Sequence, residues 1–80
     1  MTGNAVSGNG SDGISGAAIL VQGNSISGNK LVGLTLGFIA SNSGYTQNVI
    51  TNNNGGNANA QTSGGKDLGA NVCGTRTTCP

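Results

Sequence analysis

The sequence predicts an all-β chain wound as a parallel β-helix, with about two to three coils of roughly 20–24 residues and a C-terminal capping segment. Three observations predict it. The phrase "NAVSGN" at Asn4 returns as "NSISGN" at Asn24 and as "NVITNN" at Asn48, so the intervals are 20 and then 24. Glycine fills 16 of the 80 positions and asparagine 12, and both accept the positive φ angles that sharp corners need. Glu is absent and Lys and Arg together number three, so the charged helix formers are almost missing.

The first element of each row sets one apolar residue, Val6, Ile26 or Ile50, between small polar ones. The second is Gly13-Ile14, matched by Gly33-Leu34 at the first interval; the third is Val21, matched by Tyr45 at the second. Alternation this short makes strands of three or four residues. A chain that makes three short strands and three corners, then repeats itself, stacks equivalent strands about 4.8 Å apart in parallel. Val6, Ile26 and Ile50 are then an inward aliphatic ladder. Asn9, Asn29 and Asn53 form an inward or corner ladder whose amides bond up and down the column, as they do in cross-β stacks. The four extra residues of the second interval fall between Leu36 and Tyr45, around 41–44.

Three segments follow: coils over residues 1–54, a Gly/Asn-rich loop over 55–65 with no strong apolar residue, and a cap over 66–80. Leu68 and Val72 return apolar side chains, so "DLGANVC" is expected as a final strand or half-coil over the open end of the core. Cys73 and Cys79 lie close together in the tail, and with no His in the chain a tetrahedral zinc site lacks ligands. A local disulfide is the expected pairing, in an oxidising, extracytoplasmic setting; two free thiols in a tail are the alternative. A loop this short contributes roughly 2.4 kcal/mol on the chain-entropy account, enough to pin a fraying end.

Composition narrows the functional classes. The charged side chains are Asp12, Lys30, Lys66, Asp67 and Arg76, with a net charge of +1. So few cations cannot neutralise a row of phosphates, and neither aromatic, Phe38 or Tyr45, has a basic neighbourhood, so nucleic acid is not an expected partner. The longest mostly apolar run, residues 31–40, is about half a bilayer span. No membrane span is expected, and residues 1–10 have neither the cationic nor the apolar region of a signal peptide.

The rows "NAVSGN…GI" and "NSISGN…GL" resemble the repeats of right-handed parallel β-helix proteins of the pectate-lyase-like superfamily, and "KDLGANVCGTRTTCP" is similar to the closing segment of many secreted bacterial members. The resemblance covers residues 4–54 and 66–80 and implies the right hand of the coil, a secreted or cell-surface location and an association with carbohydrate. It also implies the C-terminal part of a longer protein, because such repeats need roughly three units and covered ends. Upstream coils, or self-association through an open N-terminal edge, are therefore the expected protein partners, with polysaccharide as a further one.

The resemblance carries no catalytic residue onto this chain. Superfamily lyases and epimerases need a base beside a neutralising cation, and sugar hydrolases need two carboxylates at a set separation. Here the carboxylates, Asp12 and Asp67, are far apart in the chain, so this segment is expected to be structural, with any chemistry of a parent enzyme in other coils. The rival reading runs a polysaccharide groove over these coils with Lys30 and Tyr45 as contacts; the structural alternatives are a solvated loop lysine and a ring in the position of Val21 one coil below. A third reading is a repetitive adhesin, or an ice or glycan binder, whose one regular column is Ser7, Ser27 and Thr51. "SGNGSDGIS" nearly fits a calcium-binding nonapeptide and makes Asp12 the one metal candidate, but "SGNKLVGLT" puts Lys30 and Val32 where the second half-site would be. No other cofactor is expected. "NGS" at Asn9 also fits a glycosylation acceptor.

Overall fold

The computed structural model describes residues 1–16, 18–36, 43–77 and 79. Ten strands of two or three residues run through the described part: β1 (Ala5–Ser7), β2 (Ile14–Gly16), β3 (Leu20–Gln22), β4 (Ser25–Ser27), β5 (Leu34–Leu36), β6 (Gly44–Thr46), β7 (Val49–Thr51), β8 (Thr62–Gly64), β9 (Lys66–Asp67) and β10 (Val72–Cys73). No helix occurs among the described residues. The strands are dealt in rotation to three sheets, ordered β1-β4-β7-β10, β2-β5-β8 and β3-β6-β9. Every pairing among these ten strands is parallel.

A three-residue strand points its middle or end side chain inward, and the register stacks these side chains in columns. The first column is Val6, Ile26, Ile50 and Cys73. The second is Ile14, Leu34 and Thr62, and the third is Val21, Tyr45 and Asp67. Val21, Ile26, Leu34, Leu36 and Ile50 are fully buried where the columns meet. Burying each such aliphatic side chain stabilises the fold by about 1.5–3 kcal/mol over leaving it exposed. The second and third columns turn polar toward the C-terminal end, where Thr62 and Asp67 replace aliphatic or aromatic residues, whereas the first ends on the buried Cys73.

The corners follow one rule. The residue before Asn4, Asn24, Asn48 and Asn71 has positive φ: Gly3 at 63°, Gly23 at 68°, Gln47 at 56° and Ala70 at 58°. The same holds before Asn9, Asn29 and Asn53, where Gly8, Gly28 and Asn52 stand at 68°, 66° and 58°. Glycine accepts this conformation freely, whereas Gln47 and Ala70 carry a steric cost of about 1–2 kcal/mol each. Gly13 and Gly33 answer to a different demand. A Cβ on Gly33 would lie 2.6 Å from both Asn53 Nδ2 and Ile50 Cγ2, and one on Gly13 would lie 2.6 Å from the Gly33 carbonyl oxygen. The glycine of each "GI" or "GL" step lets the second sheet close against the first.

The C-terminal third differs from the expected outline. Residues 55–65 loop out at first, but Gln61 and Thr62 are buried and β8 joins the second sheet. Low apolarity hid this strand, because its inward residue is a threonine. Within "DLGANVC", expected as a final strand or half-coil, Asp67 ends β9 in the third sheet, and Val72 and Cys73 form β10 in the first. Of the expected insertion at 41–44, positions 41 and 42 lie outside the described residues; Ser43 is buried, and its Oγ accepts the Ile19 N–H at 3.1 Å.

Candidate functional site

Two asparagine ladders flank the first sheet, one at each end of its strands. On the far side, Asn9 Nδ2 donates to Asn29 Oδ1 and Asn29 Nδ2 to Asn53 Oδ1, both at 2.8 Å. On the near side, Asn4, Asn24, Asn48 and Asn71 form a second ladder, each Nδ2 donating to the next Oδ1 at 3.1 Å. Each acceptor oxygen also receives the backbone N–H of the asparagine before it, at 2.9 to 3.1 Å. One side-chain carbonyl thus satisfies two donors at a corner, where the sheet's own hydrogen bonds stop.

All the ladder amides point the same way, with N–H toward the C-terminal end and C=O toward the N-terminal end. Their ends are therefore chemically different. At the C-terminal end of the near ladder, Asn71 Nδ2 donates to Asp67 Oδ1 at 2.8 Å. The far ladder ends on Gln61, whose Oε1 accepts from Asn53 Nδ2 at 3.1 Å and from the Asn53 backbone N–H at 2.8 Å. Gln61 Nε2 then donates to the carbonyls of Asn53, Gly56 and Asn59. A carboxylate on the near ladder and a glutamine on the far one take the place that a further asparagine would hold.

Asp67 draws the closure together. Its Oδ1 also accepts the Gly69 N–H at 2.8 Å, and its Oδ2 accepts the Cys79 N–H at 3.0 Å. Partial burial pushes the Asp67 carboxyl up, but the hydrogen bonds from Cys79, Gly69 and Asn71 outweigh it and hold the group below its ordinary value. Cys73 and Cys79 form a disulfide with their Cα atoms 5.2 Å apart, which ties the tail to β10. Cys73 also makes an antiparallel bridge with Arg76, with hydrogen bonds of 2.8 and 3.0 Å. The outer edge of β10 is occupied by the chain turning back on itself.

At the opposite end, β1 and β2 are terminal strands of their sheets. Among the described residues, the third sheet is the one partly covered there: Gln22 N–H donates to the Met1 carbonyl at 2.9 Å, and Thr2 bridges Gln22. Asn4 and Asn9 direct their Nδ2 groups to Asn24 and Asn29, and no described residue donates to their Oδ1 atoms.

The residues singled out for chemistry are not brought together. Tyr45 is 2% exposed, packed in the third column between Val21 and Asp67. Burial pushes its phenol up, a hydrogen bond with Thr62 lowers it, and the Asp67 charge raises it; the net shift is upward. Lys30 is exposed between β4 and β5, its N–H donating to the Asn9 carbonyl at 3.0 Å. Asp12 is half-buried in the turn before β2, and no group of three or more His, Cys, Asp or Glu that could hold a metal occurs among the described residues. Ser7, Ser27 and Thr51 are aligned across the first sheet. A hollow of about 240 Å³ lies between Asn57, Gln61, Cys73 and Arg76, and another of about 350 Å³ between Ile19, Ser43, Lys66 and Leu68. No helix of the described residues is long and apolar enough to cross a membrane.

The sequence reading placed Asn9, Asn29 and Asn53 in a column and gave no such part to Asn71, Asp67 or Gln61. One signal was available: "NVC" at Asn71 repeats the "NVI" of Asn48 at a spacing that falls inside the range of the earlier intervals. Comparisons with family models, with curated proteins and with solved structures find no match to this chain.

Proposed function

We propose that residues 1–80 are the closing coils of a right-handed parallel β-helix of the pectate-lyase-like kind, a structural cap rather than a catalytic unit. The observation that carries this reading is the unlike finish of the two ends. Toward the C-terminus the ladders stop on Asp67 and Gln61, and the edge of β10 is taken by the Arg76 turn and tied by the disulfide. A covered edge of this kind stops strand addition, the hazard that repeat architectures meet with capping units. The rotation of strands through three parallel sheets supports a coil, and parallel crossovers are right-handed in nearly all proteins. The disulfide supports an extracytoplasmic location.

The parent protein on this reading is a secreted or surface β-helix that works on or adheres to carbohydrate through coils other than these. The test is to remove residues 74–80 and follow association by sedimentation velocity. Loss of the cap should convert a non-associating species into one that dimerises with concentration by pairing of two freed β10 edges. A truncated chain that stays folded and does not associate defeats the reading.

A further inference from the structure

We infer that the N-terminal face of the first coil, formed by β1, β2 and the carbonyl ends of Asn4 and Asn9, is a docking surface for one further coil. That coil runs parallel to β1 and carries two asparagines in the spacing Asn-x4-Asn. The inference deepens the capping reading and rests on it for the parallel sense of stacking.

The polarity of the ladders selects the occupant. An amide is planar, so an asparagine whose Nδ2 is spent toward the coil above presents its Oδ1 to the other side. Asn24, Asn29, Asn48 and Asn53 all do so, and each Oδ1 receives two donors from the coil below. Asn4 and Asn9 have the same arrangement above them and no described donor below. Each lacks one backbone N–H and one side-chain N–H. In every row the two ladder asparagines keep the same spacing, as Asn4 and Asn9, Asn24 and Asn29, Asn48 and Asn53. A strand with Asn-x4-Asn supplies all four donors in register and also pairs with the unpaired edge of β1.

A second copy of the chain does not supply them. Two copies meeting through this face about a two-fold axis would set Oδ1 acceptors against Oδ1 acceptors, with no proton between. A copy stacked head to tail would present the other end, where Asn71 Nδ2 is already engaged by the Asp67 carboxylate and Gln61 Nε2 by three carbonyls. That end would bring a negative charge to the Asn4 carbonyl. The acceptor face accordingly discriminates against copies of this chain and in favour of an amide-donating coil.

The test uses the intact chain and a fluorescent peptide with the sequence of residues 4–23, which contains the Asn-x4-Asn pair. Anisotropy should show saturable binding, and a peptide with Asp at both ladder positions, which offers acceptors but no side-chain donors, should bind at least tenfold more weakly. Amide shifts on binding should centre on β1 and β2. Failure of both peptides to bind, equal binding of the two, or a concentration-dependent dimer of the chain that blocks the peptide would overturn the inference. These outcomes are separate from the truncation experiment, because they read the N-terminal face alone and leave the cap untouched.

Discussion

Asn53 Oδ1 accepts both the backbone N–H of Asn29, at 3.0 Å, and its side-chain Nδ2, at 2.8 Å, so one buried carbonyl serves two donors of the same residue. Asn29 does the same for Asn9. Replacing Asn29 with Leu keeps the branched shape but removes the acceptor for Asn9 and the side-chain donor to Asn53. About 2 kcal/mol of stability should be lost, read as a lower urea midpoint. Asn29→Asp should cost more, because it sets a poorly solvated carboxylate against the Asn53 carbonyl. Asn9→Asp, at the exposed end, should cost the least of the three; a reversed order would show that the ladder does not bear on stability.

Asp67 links acid stability to the packing of the C-terminal end. Its folded value lies below the unfolded one, so its contribution is complete above the ordinary carboxylate range and is lost as pH falls through the folded value. Melting midpoints should therefore drop below about pH 4. Asp67→Asn should lower stability at pH 7 by about 1–2 kcal/mol and flatten the acid limb. An acid limb unchanged in the variant would assign it to another group.

Tyr45 gives the opposite limb. Its folded value is raised, chiefly by burial, so its contribution is complete at neutral pH and is lost as pH rises past the ordinary tyrosine value near 10. Tyr45→Phe should unfold at a higher pH than the parent, with a small loss at neutral pH from the missing bond to Thr62. Alkaline titration followed by circular dichroism reads both effects.

Gly33→Ala forces a methyl to within 2.6 Å of Asn53 Nδ2 and Ile50 Cγ2, which should cost about 1–3 kcal/mol and loosen the far ladder. Gly10→Ala is the control: nothing lies within 4 Å of its Cβ, and the change should stay within about 0.5 kcal/mol. Denaturant midpoints of the two variants, measured side by side, decide whether close approach explains the glycine of the "GL" step.

Reducing the Cys73–Cys79 disulfide should lower stability by about 2 kcal/mol, since it frees a short closed loop. It should also soften the acid limb, because Cys79 supplies one of the hydrogen bonds that hold Asp67 ionised. Cys79→Ser should match the reduced parent in both respects. A reduced chain with full stability would show that the Arg76 bridge alone secures the tail.

The sequence by itself determined the period and the register. Corners need positive φ and strands need one inward aliphatic residue, so glycine, asparagine and the Val6, Ile26 and Ile50 spacing had to recur wherever equivalent strands stack. The spacing of Asn9, Asn29 and Asn53 recurs for the same reason. The near ladder was written in the same rows, as Asn4, Asn24 and Asn48, but only the packing decided that these side chains also bond in a column. The closure was beyond one-dimensional reading, because it breaks the repeat. Gln61 reaches the ladder from a loop that follows Asn53, and Asp67 takes its donors from Gly69, Asn71 and Cys79. Which group ends a hydrogen-bonded column depends on what the folded chain brings within about 3 Å of the last amide, and that distance exists only in three dimensions.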